Sequence, residues 1–387
     1  MQFRDLKKQY ETIKDDMDAR IQAVIDSAAF ISGKEVKELE QKLSNYVGVK
    51  HCITCGNGTD ALTLALETWN VGQGDAVFVP DFTFFSSGEC PAYEGATPIF
   101  VDVDNTYNIS PERLEEAILK VKSEGKYNPR VVIAVDLFGQ PADYPAIKEI
   151  CKRHNLLLLE DGAQGFGGNI NGKMACSFGD ISTTSFFPAK PLGCYGDGGA
   201  IFTDNDEWAT HLRSICVHGK NTTDLDDPNA KYNNIRLGMN SRLDTIQAAV
   251  LLSKLDLFKI VELDAINKVA DMYGERLKET ELELPIIKEG FYSSWAQYTI
   301  RIPLWVNRSE LQAYLREYDI PTMIYYAKPM HRQLAFCGTD SSIAECPNTE
   351  KYCASVLSLP LHPYMTSEEV DLISTKIKEY LKKHKNV

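Results

Sequence analysis

Leu156-Leu157-Leu158-Leu159-Glu160-Asp161-Gly162-Ala163-Gln164 is the stretch of sequence that decides the fold. Four consecutive leucines are typical of a strand buried on both faces, as in the parallel sheet of an α/β protein. Asp161 then falls at the carboxyl end of this strand, the edge at which open α/β sheets bind ligands. A buried carboxylate at such an edge needs a cationic or hydrogen-bonding partner. Two interpretations remain open: Asp161 binds a ligand, or it caps the next helix.

Short apolar runs alternate with helical segments on both sides of this strand, from about residue 51 to residue 205. The runs are His51–Thr54, Ala76–Val79, Ile99–Val101, Arg130–Val135, Leu156–Glu160, Ile181–Ser185 and Ala200–Thr203. Strands that alternate with helices in this way form parallel sheets. We therefore predict an α/β domain with a mostly parallel, seven-stranded sheet.

The two ends of the chain differ from this alternating region. Apolar residues at helical spacing predict N-terminal helices with a break at Phe30–Gly33, and a long helix around Thr245–Leu263 with further helix to about residue 279. Asp224–Asn234 is polar and predicts a loop. The last hundred residues predict a smaller α+β domain, with strands Ala296–Ile302 and Pro321–Tyr326 and helices Ser309–Tyr318 and Ser367–Lys383. We place the large domain, with its N-terminal helical segment, at residues 1–250 and the small domain at residues 251–387.

Two further segments carry residue types with chemical uses. Lys190 lies just past an apolar strand, in the turn Thr184-Ser185-Phe186-Phe187-Pro188-Ala189-Lys190-Pro191-Leu192-Gly193. A partly desolvated lysine has a lowered pKa and can form a Schiff base, although a lone lysine here also fits an exposed loop. Cys55-Gly56-Asn57-Gly58-Thr59-Asp60-Ala61-Leu62 follows a strand and opens a helix, where backbone N–H groups can bind an anion. By itself this segment also fits a tight turn with a helix cap.

The three segments together fit one cofactor. They supply, in chain order, a cradle for a phosphate, an aspartate for a pyridinium nitrogen and a lysine for a Schiff base. This is the layout that pyridoxal phosphate (PLP) requires. We expect no metal site, because Cys52 and Cys55 form a C-x-x-C without a second pair of ligands at zinc spacing and are predicted to be buried thiols.

Composition and charge argue against several function classes. The 387 residues carry a formal net charge of −13, so we expect no basic face for nucleic acid. No apolar run reaches about 18 residues, so we expect no membrane span. The N-terminal sequence MQFRDLKKQYETIKDD has no apolar signal region. We therefore expect a cytoplasmic protein whose ten cysteines are reduced.

The sequence resembles a known family, the DegT/DnrJ/EryC1/StrS sugar aminotransferases, which have the fold of aspartate aminotransferase. The resemblance extends over nearly the whole chain, from Phe3-Arg4-Asp5-Leu6 to Leu359-Pro360-Leu361-His362-Pro363-Tyr364. Its most specific segments are Glu160–Gln164, Ser185–Gly193, Tyr195–Ala200 and Asn240–Asp244. The resemblance implies a PLP enzyme that puts an amino group on a keto sugar carried by a nucleotide.

The resemblance also implies which residues contact the cofactor ring. Lys190 matches the Schiff-base lysine, and Asp161 matches the carboxylate on the pyridinium nitrogen. Gln164 matches a residue beside the ring, near its phenolic oxygen. Phe84 matches the aromatic side chain that stacks on the ring. We expect Lys190 and Asp161 to be the catalytic residues.

The remaining matched residues are expected to bind the phosphate and the substrates. Ser185 matches a phosphate ligand, helped by the backbone N–H groups of Gly58 and Thr59. Asn240 matches a phosphate ligand that reaches in from the partner subunit. Arg242 matches an arginine available to substrate carboxylates. The resemblance therefore implies a homodimer with shared active sites.

The identity of the sugar is expected from two segments. The Asn-Ser-Arg-Leu-Asp form of residues 240–244 resembles that of members that aminate C3 of the sugar. Among these members, the chain is most similar to the enzymes that act on UDP-2-acetamido-2-deoxy-3-ketoglucuronic acid. Glutamate is the expected amino donor. Tyr325 and Tyr326, expected to line the sugar pocket, stand where those enzymes have a histidine–tyrosine pair. Lys328, His331 and Arg332 form the densest basic cluster near the expected pocket, which fits a diphosphate site or a solvated loop.

Three alternatives remain. A C4 aminotransferase of the same family would use the same cofactor site. A sugar dehydratase of this fold would carry histidine in place of the lysine, so Lys190 favours transamination. A non-catalytic regulator that binds PLP or a sugar is disfavoured because the chain is acidic and shows no helix-turn-helix pattern.

Overall fold

A computed structural model of the chain describes residues 1–222 and 233–385. The strands are β1 (His51–Cys55), β2 (Asp75–Pro80), β3 (Thr97–Val101), β4 (Asn128–Val135), β5 (Leu157–Asp161), β6 (Asn169–Ile170), β7 (Lys173–Met174), β8 (Ile181–Ser185), β9 (Gly199–Thr203), β10 (Phe291–Tyr292), β11 (Tyr298–Arg301) and β12 (Val356–Leu359). The α-helices are α1 (Leu6–Thr12), α2 (Lys14–Ser27), α3 (Lys34–Val47), α4 (Gly58–Thr68), α5 (Ser86–Tyr93), α6 (Pro111–Glu124), α7 (Tyr144–His154), α8 (Asp206–Ile215), α9 (Thr245–Leu257), α10 (Leu263–Leu277), α11 (Arg308–Arg316), α12 (Pro347–Ser355) and α13 (Ser367–His384). Among the helices of these two ranges, none is both long and apolar enough to cross a bilayer.

Seven strands build the main sheet, in the order β1-β9-β8-β5-β4-β2-β3. The strands from β8 to β3 run parallel to their neighbours, and β9 runs antiparallel to both β8 and β1. This confirms the predicted α/β fold, and each of the seven apolar runs becomes one strand. Val135, Asp161 and Thr183 lie side by side in register. The carboxyl ends of β4, β5 and β8 therefore form one edge of the sheet.

Apolar side chains cover both faces of this sheet, which explains why its central strands are almost wholly apolar. Leu159 packs with Leu62 and Val131 on one face. Leu158, its neighbour in β5, packs with Ile118 and Ile147 on the other face. Side chains that alternate along a strand separate in this way, so the four-leucine run fills two hydrophobic clusters at once.

The C-terminal part of the chain has its own small sheet and core. β11 and β12 pair in antiparallel fashion. Buried side chains from α10, α11, α13 and these strands pack together, among them Tyr273, Ile300, Leu315 and Ile377. α9 packs against α2 and α3, whereas α10 packs against α13, and a π-helical turn at Phe258–Glu262 lies between α9 and α10. The division of the chain at residue 250 stays a prediction.

The structure differs from the sequence predictions at one strand. Pro321–Tyr326 does not form a strand: in this segment Met323 alone makes a bridge, to Ser358, and β12 is the partner of β11 instead. Pro321 cannot donate a ladder hydrogen bond, and the chain turns at Tyr325 and Tyr326. Residues 224–232 of the predicted loop Asp224–Asn234 lie outside the described residues. Cys52 and Cys55 are buried free thiols, as predicted.

Candidate active site

Asp161 is the last residue of β5, and the residue is 5% exposed. Ser87 donates a hydrogen bond to Oδ2 at 2.8 Å, and the Ala163 N–H donates to Oδ1 at 3.2 Å. Burial raises the pKa of the Asp161 carboxyl, while these two hydrogen bonds and the charge of Lys190 lower it. The sheet edge thus holds a buried carboxylate with one hydrogen bond to each oxygen, and each oxygen can accept another from a cationic or N–H partner.

Lys190 lies in the turn that follows β8, the strand next to β5. Its backbone N–H donates to the Phe187 carbonyl at 2.9 Å, and the Cys194 N–H donates to the Phe186 carbonyl at 2.7 Å. Burial lowers the pKa of the Lys190 amine, and the charge of Asp161 opposes that effect. The structure therefore brings Lys190 and Asp161 within electrostatic range at one edge, as the sequence predicted.

Residues Cys55–Leu62, the glycine segment, open α4 and lie beside Ser185. Asn57 caps the helix by accepting a hydrogen bond from the Asp60 N–H at 2.8 Å. The N–H groups of Gly58 and Thr59 are the first two of α4 and have no partner within the helix. A Cβ on Gly58 would lie 2.8 Å from the Ser185 Cβ, so only glycine fits there. Hydroxyl and amide donors thus converge at a helix N-terminus, which favours an anion.

Aromatic side chains cover the same edge. Phe84 is 54% exposed, and its ring centroid lies 6.4 Å from that of Tyr326. Gln164 Nε2 donates to the Tyr326 hydroxyl at 3.2 Å, and Gln164 Oε1 accepts from the Phe138 N–H at 2.8 Å. Tyr325 is half-buried, with its ring 6.4 Å from that of Phe3. The two tyrosines therefore border the edge that holds Asp161 and Gln164.

Asn240 and Arg242 lie on either side of an anchored serine. Ser241 Oγ accepts a hydrogen bond from the Gly56 N–H at 2.8 Å and donates to Asp60 at 2.6 Å. Asn240 is exposed, and Arg242 is partly buried. Within residues 1–222 and 233–385, neither side chain makes a hydrogen bond or ion pair with Asp161 or Lys190. The structure places both beside the glycine segment but does not bring them to the lysine of the same chain.

Lys328, His331 and Arg332, the basic cluster that fits a diphosphate site or a solvated loop, differ in their surroundings, and two of the three are paired with carboxylates. His331 is buried between Asp81, at 2.7 Å, and Glu350, at 3.2 Å. Arg332 also pairs with Glu350. Carboxylates that are distant in sequence thus neutralise His331 and Arg332, and Lys328 remains as an exposed cation without an ion pair in the described part of the chain.

Sequence reasoning missed three residues of the site, Ser86, Ser87 and Arg4. Ser87 binds Asp161, and its neighbour Ser86 makes a hydrogen bond of 2.8 Å with Thr59. Their position just after β2, a parallel strand of the main sheet, was a usable signal. Arg4 contacts the backbone of Lys190 at 3.4 Å. The sequence holds no signal for Arg4, because 186 residues separate the two positions.

These residues fit PLP. The donors at Ser185, Gly58 and Thr59 suit its phosphate. Asp161 suits a protonated ring nitrogen, and Lys190 suits an aldehyde. The exposed ring of Phe84, beside Tyr326, offers a flat apolar surface.

Comparison with known proteins agrees with this geometry. The model of the DegT/DnrJ/EryC1/StrS aminotransferase family matches residues 11–378. The UDP-2-acetamido-2-deoxy-3-oxo-D-glucuronate aminotransferase of Pseudomonas aeruginosa is 42% identical over 374 residues, which cover 96% of this chain and 98% of that protein. A protein of Geobacillus stearothermophilus named pleiotropic regulatory protein is 40% identical over 383 residues, 97% of each chain.

A solved structure supports the same assignment. The crystal structure of a DegT DnrJ EryC1 StrS aminotransferase from Brucella abortus matches with a TM-score of 0.93 and 45% identity, covering 98% of this chain and 99% of that chain. The family match, the fold and the residues at the sheet edge all agree. The chain therefore belongs to the DegT/DnrJ/EryC1/StrS aminotransferase family and is a PLP-dependent aminotransferase.

Proposed function

We propose that this enzyme transfers the amino group of glutamate to C3 of a UDP-linked 3-keto sugar, in the biosynthesis of an amino sugar for a surface polysaccharide or other glycan. The observation that carries the proposal is the placement of Lys190 and Asp161 at one sheet edge, bordered by Phe84 and Tyr326. The substrate follows from the Pseudomonas aeruginosa relative, whose name gives a UDP-linked 3-oxo sugar, and from the Asn-Ser-Arg-Leu-Asp segment at residues 240–244.

Each residue of the edge has a separate task in this reaction. Bound PLP supplies an aldehyde that takes up the amino group and a pyridinium ring that withdraws electrons from the carbon that loses a proton. The Asp161 carboxylate holds the ring-nitrogen proton, and Ser87 keeps that carboxylate oriented. Lys190 Nζ, whose pKa burial lowers, is available as a neutral amine to accept the substrate proton and return it. Gln164 holds Tyr326 toward the sugar.

Arg242 is the proposed binding residue for the donor carboxylate. Its guanidinium makes no ion pair with any residue in the described part of the chain. A planar guanidinium binds a carboxylate through two parallel hydrogen bonds, so a free one beside the glycine segment suits glutamate. The carboxylate of a uronic sugar is the second ligand that the same group fits.

A homodimer is part of the proposal. Among the described residues, the side chains of Asn240 and Arg242 make no hydrogen bond or ion pair, and Ser241 anchors their segment to the glycine segment. Two-fold symmetric dimers are the commonest assemblies. In such a dimer each subunit lends these two residues to the site of its neighbour, so that two shared active sites form.

The reverse reaction tests the substrate. PLP-loaded enzyme is offered a panel of 3-amino and 4-amino nucleotide sugars, neutral and uronic, on UDP and dTDP, and conversion of PLP to pyridoxamine phosphate is followed by absorbance. We expect the UDP-linked 3-amino sugars to convert fastest, with the uronic sugar preferred. Conversion by 4-amino sugars alone would establish the C4 alternative, and a preference for neutral sugars would remove the ketoglucuronate assignment.

A non-catalytic regulator is the second candidate, and the name of the Geobacillus stearothermophilus relative favours it. Such a protein need not turn over its cofactor. Glutamate added to the PLP-loaded enzyme distinguishes the two functions: we expect complete conversion to pyridoxamine phosphate, and an unchanged spectrum would support the regulator.

A further inference from the structure

Two cations bind the backbone of the turn that carries Lys190. Arg4 donates from Nη2 to the Lys190 carbonyl at 3.4 Å and from Nη1 to the Ala296 carbonyl at 3.3 Å. Lys254 is fully buried and donates from Nζ to the Gly193 carbonyl at 2.7 Å. The turn is therefore held at both ends, by cations from the N-terminal segment and from α9.

A buried carboxylate lies near both cations without pairing with either. Glu262, in the π-helical turn, is 4% exposed and accepts hydrogen bonds from Gln9 at 2.9 and 3.1 Å and from Tyr364. Burial lowers the pKa of Lys254 to about 8 and also lowers that of Arg4, and the charge of Glu262 opposes both shifts. No ion pair of the described residues includes Arg4 or Lys254. Within the described residues, no carboxylate in direct contact neutralises the charge of Arg4 or Lys254.

The charged groups that act on the Lys190 amine come from two sides. Asp161, from β5, raises the pKa of Lys190, whereas Arg4 lowers it in the same direction as burial. A lysine must be neutral to attack an aldehyde or to accept a proton. A cation that already binds the lysine's own carbonyl is well placed to favour the neutral amine.

We propose that Arg4 is a positioning residue for Lys190, which fixes the lysine turn through its two carbonyl contacts and favours the neutral amine through its charge. The inference rests on the proposed role of Lys190 and is independent of the sugar. Two substitutions separate the parts of the proposal: Arg4→Gln removes the charge and keeps a donor, and Arg4→Lys keeps the charge and removes the guanidinium fork.

The test is a titration of the visible absorbance of PLP-loaded enzyme against pH, with no sugar present. This absorbance reports whether the Lys190 nitrogen, then bound to the cofactor, carries a proton, and the charge of Arg4 acts on that nitrogen in the same direction as on the free amine. Because a nearby cation disfavours a second positive charge, we expect Arg4→Gln to raise the midpoint by about 0.5–1 pH unit. Arg4→Lys should keep the titration midpoint within about 0.2 pH unit of the wild-type value. It should lower kcat several-fold at unchanged KM. Arg113→Gln, at an exposed arginine paired with Glu116, is the matched control and should change neither quantity.

Other outcomes overturn the proposal. An Arg4→Gln midpoint equal to that of the wild type, with a lower melting temperature, would make Arg4 a structural brace. Full kcat in Arg4→Lys would remove the positioning role. If Arg4→Gln does not fold, the pH titration is repeated with Arg4→Met, which also removes the charge. A failure of the proposed role of Lys190 gives a different result. In that case Lys190→Ala keeps the absorbance of lysine-bound cofactor, whatever the Arg4 variants show.

Discussion

The cofactor side and the sugar side of the site are built in different ways. Asp161, Ser185 and Lys190 end or follow paired strands, so backbone hydrogen bonds and register fix their positions. The proposed sugar side, residues 321–332, has no regular strand and is held by side-chain contacts such as that between Gln164 and Tyr326. A rigid sheet edge suits chemistry that does not vary, and a segment held by side chains can change with the substrate.

Loss of the lysine should have the largest effect on the cofactor side. Lys190→Ala should lower kcat by at least about a thousand-fold, because it removes the residue proposed to carry the proton. The absorbance of lysine-bound cofactor should disappear as well. Lys37→Ala, at an exposed lysine on α3, is the control and should behave as the wild type. Near-normal turnover in Lys190→Ala would show that the nucleophile lies elsewhere.

Loss of the aspartate charge should come next. Asp161→Asn keeps the shape of the side chain but removes the charge that stabilises a protonated ring nitrogen. An electrostatic contribution of about 3–4 kcal/mol corresponds to a fall in kcat of about 10²–10³-fold. Single-turnover kinetics with glutamate measure this step directly, and an unchanged rate would show that the charge is not needed.

A mixing experiment tests whether the edge is completed by a second subunit. Lys190→Ala and Asn240→Ala chains are each expected to be impaired, and equal amounts are allowed to exchange subunits. About half of the dimers are then hybrids with one intact site of two, so activity should return to roughly a quarter of the wild-type value. No recovery after exchange, or a fully active monomer by light scattering, would contradict shared sites.

The sugar side should show the smallest effect. Tyr326→Phe removes the hydroxyl that binds Gln164, and a hydrogen bond of about 0.5–1.5 kcal/mol corresponds to a two- to tenfold fall in kcat/KM for the sugar. Tyr93→Phe, at a tyrosine of α5 that is 82% exposed, is the control. Equal losses in both variants would mean that the Gln164 contact does not position Tyr326.

The difference between the cofactor side and the proposed sugar side also explains which parts of the site the sequence could predict. Apolar runs and the rule that parallel strands end at one edge were enough to bring Asp161 and Lys190 together. Pro321–Tyr326 was predicted wrongly because its apolar pattern resembles a strand, whereas Pro321 and contacts with Phe3 and Gln164 decide its course. The pairing of His331 with Asp81 joins positions 250 residues apart. Local patterns carry no information about such contacts.

The N-terminal contacts of the lysine turn have a consequence for the order of folding. The Phe3 carbonyl accepts a hydrogen bond from the Leu361 N–H at 3.3 Å, and Arg4 reaches positions 186 and 292 residues away. Contacts between such distant positions form late, because a long loop must close first. A growing chain can pair the strands of the main sheet, which end at Thr203, long before Leu361 is synthesised. We therefore expect the contacts of Arg4 with the lysine turn to form after the strands of the main sheet have paired.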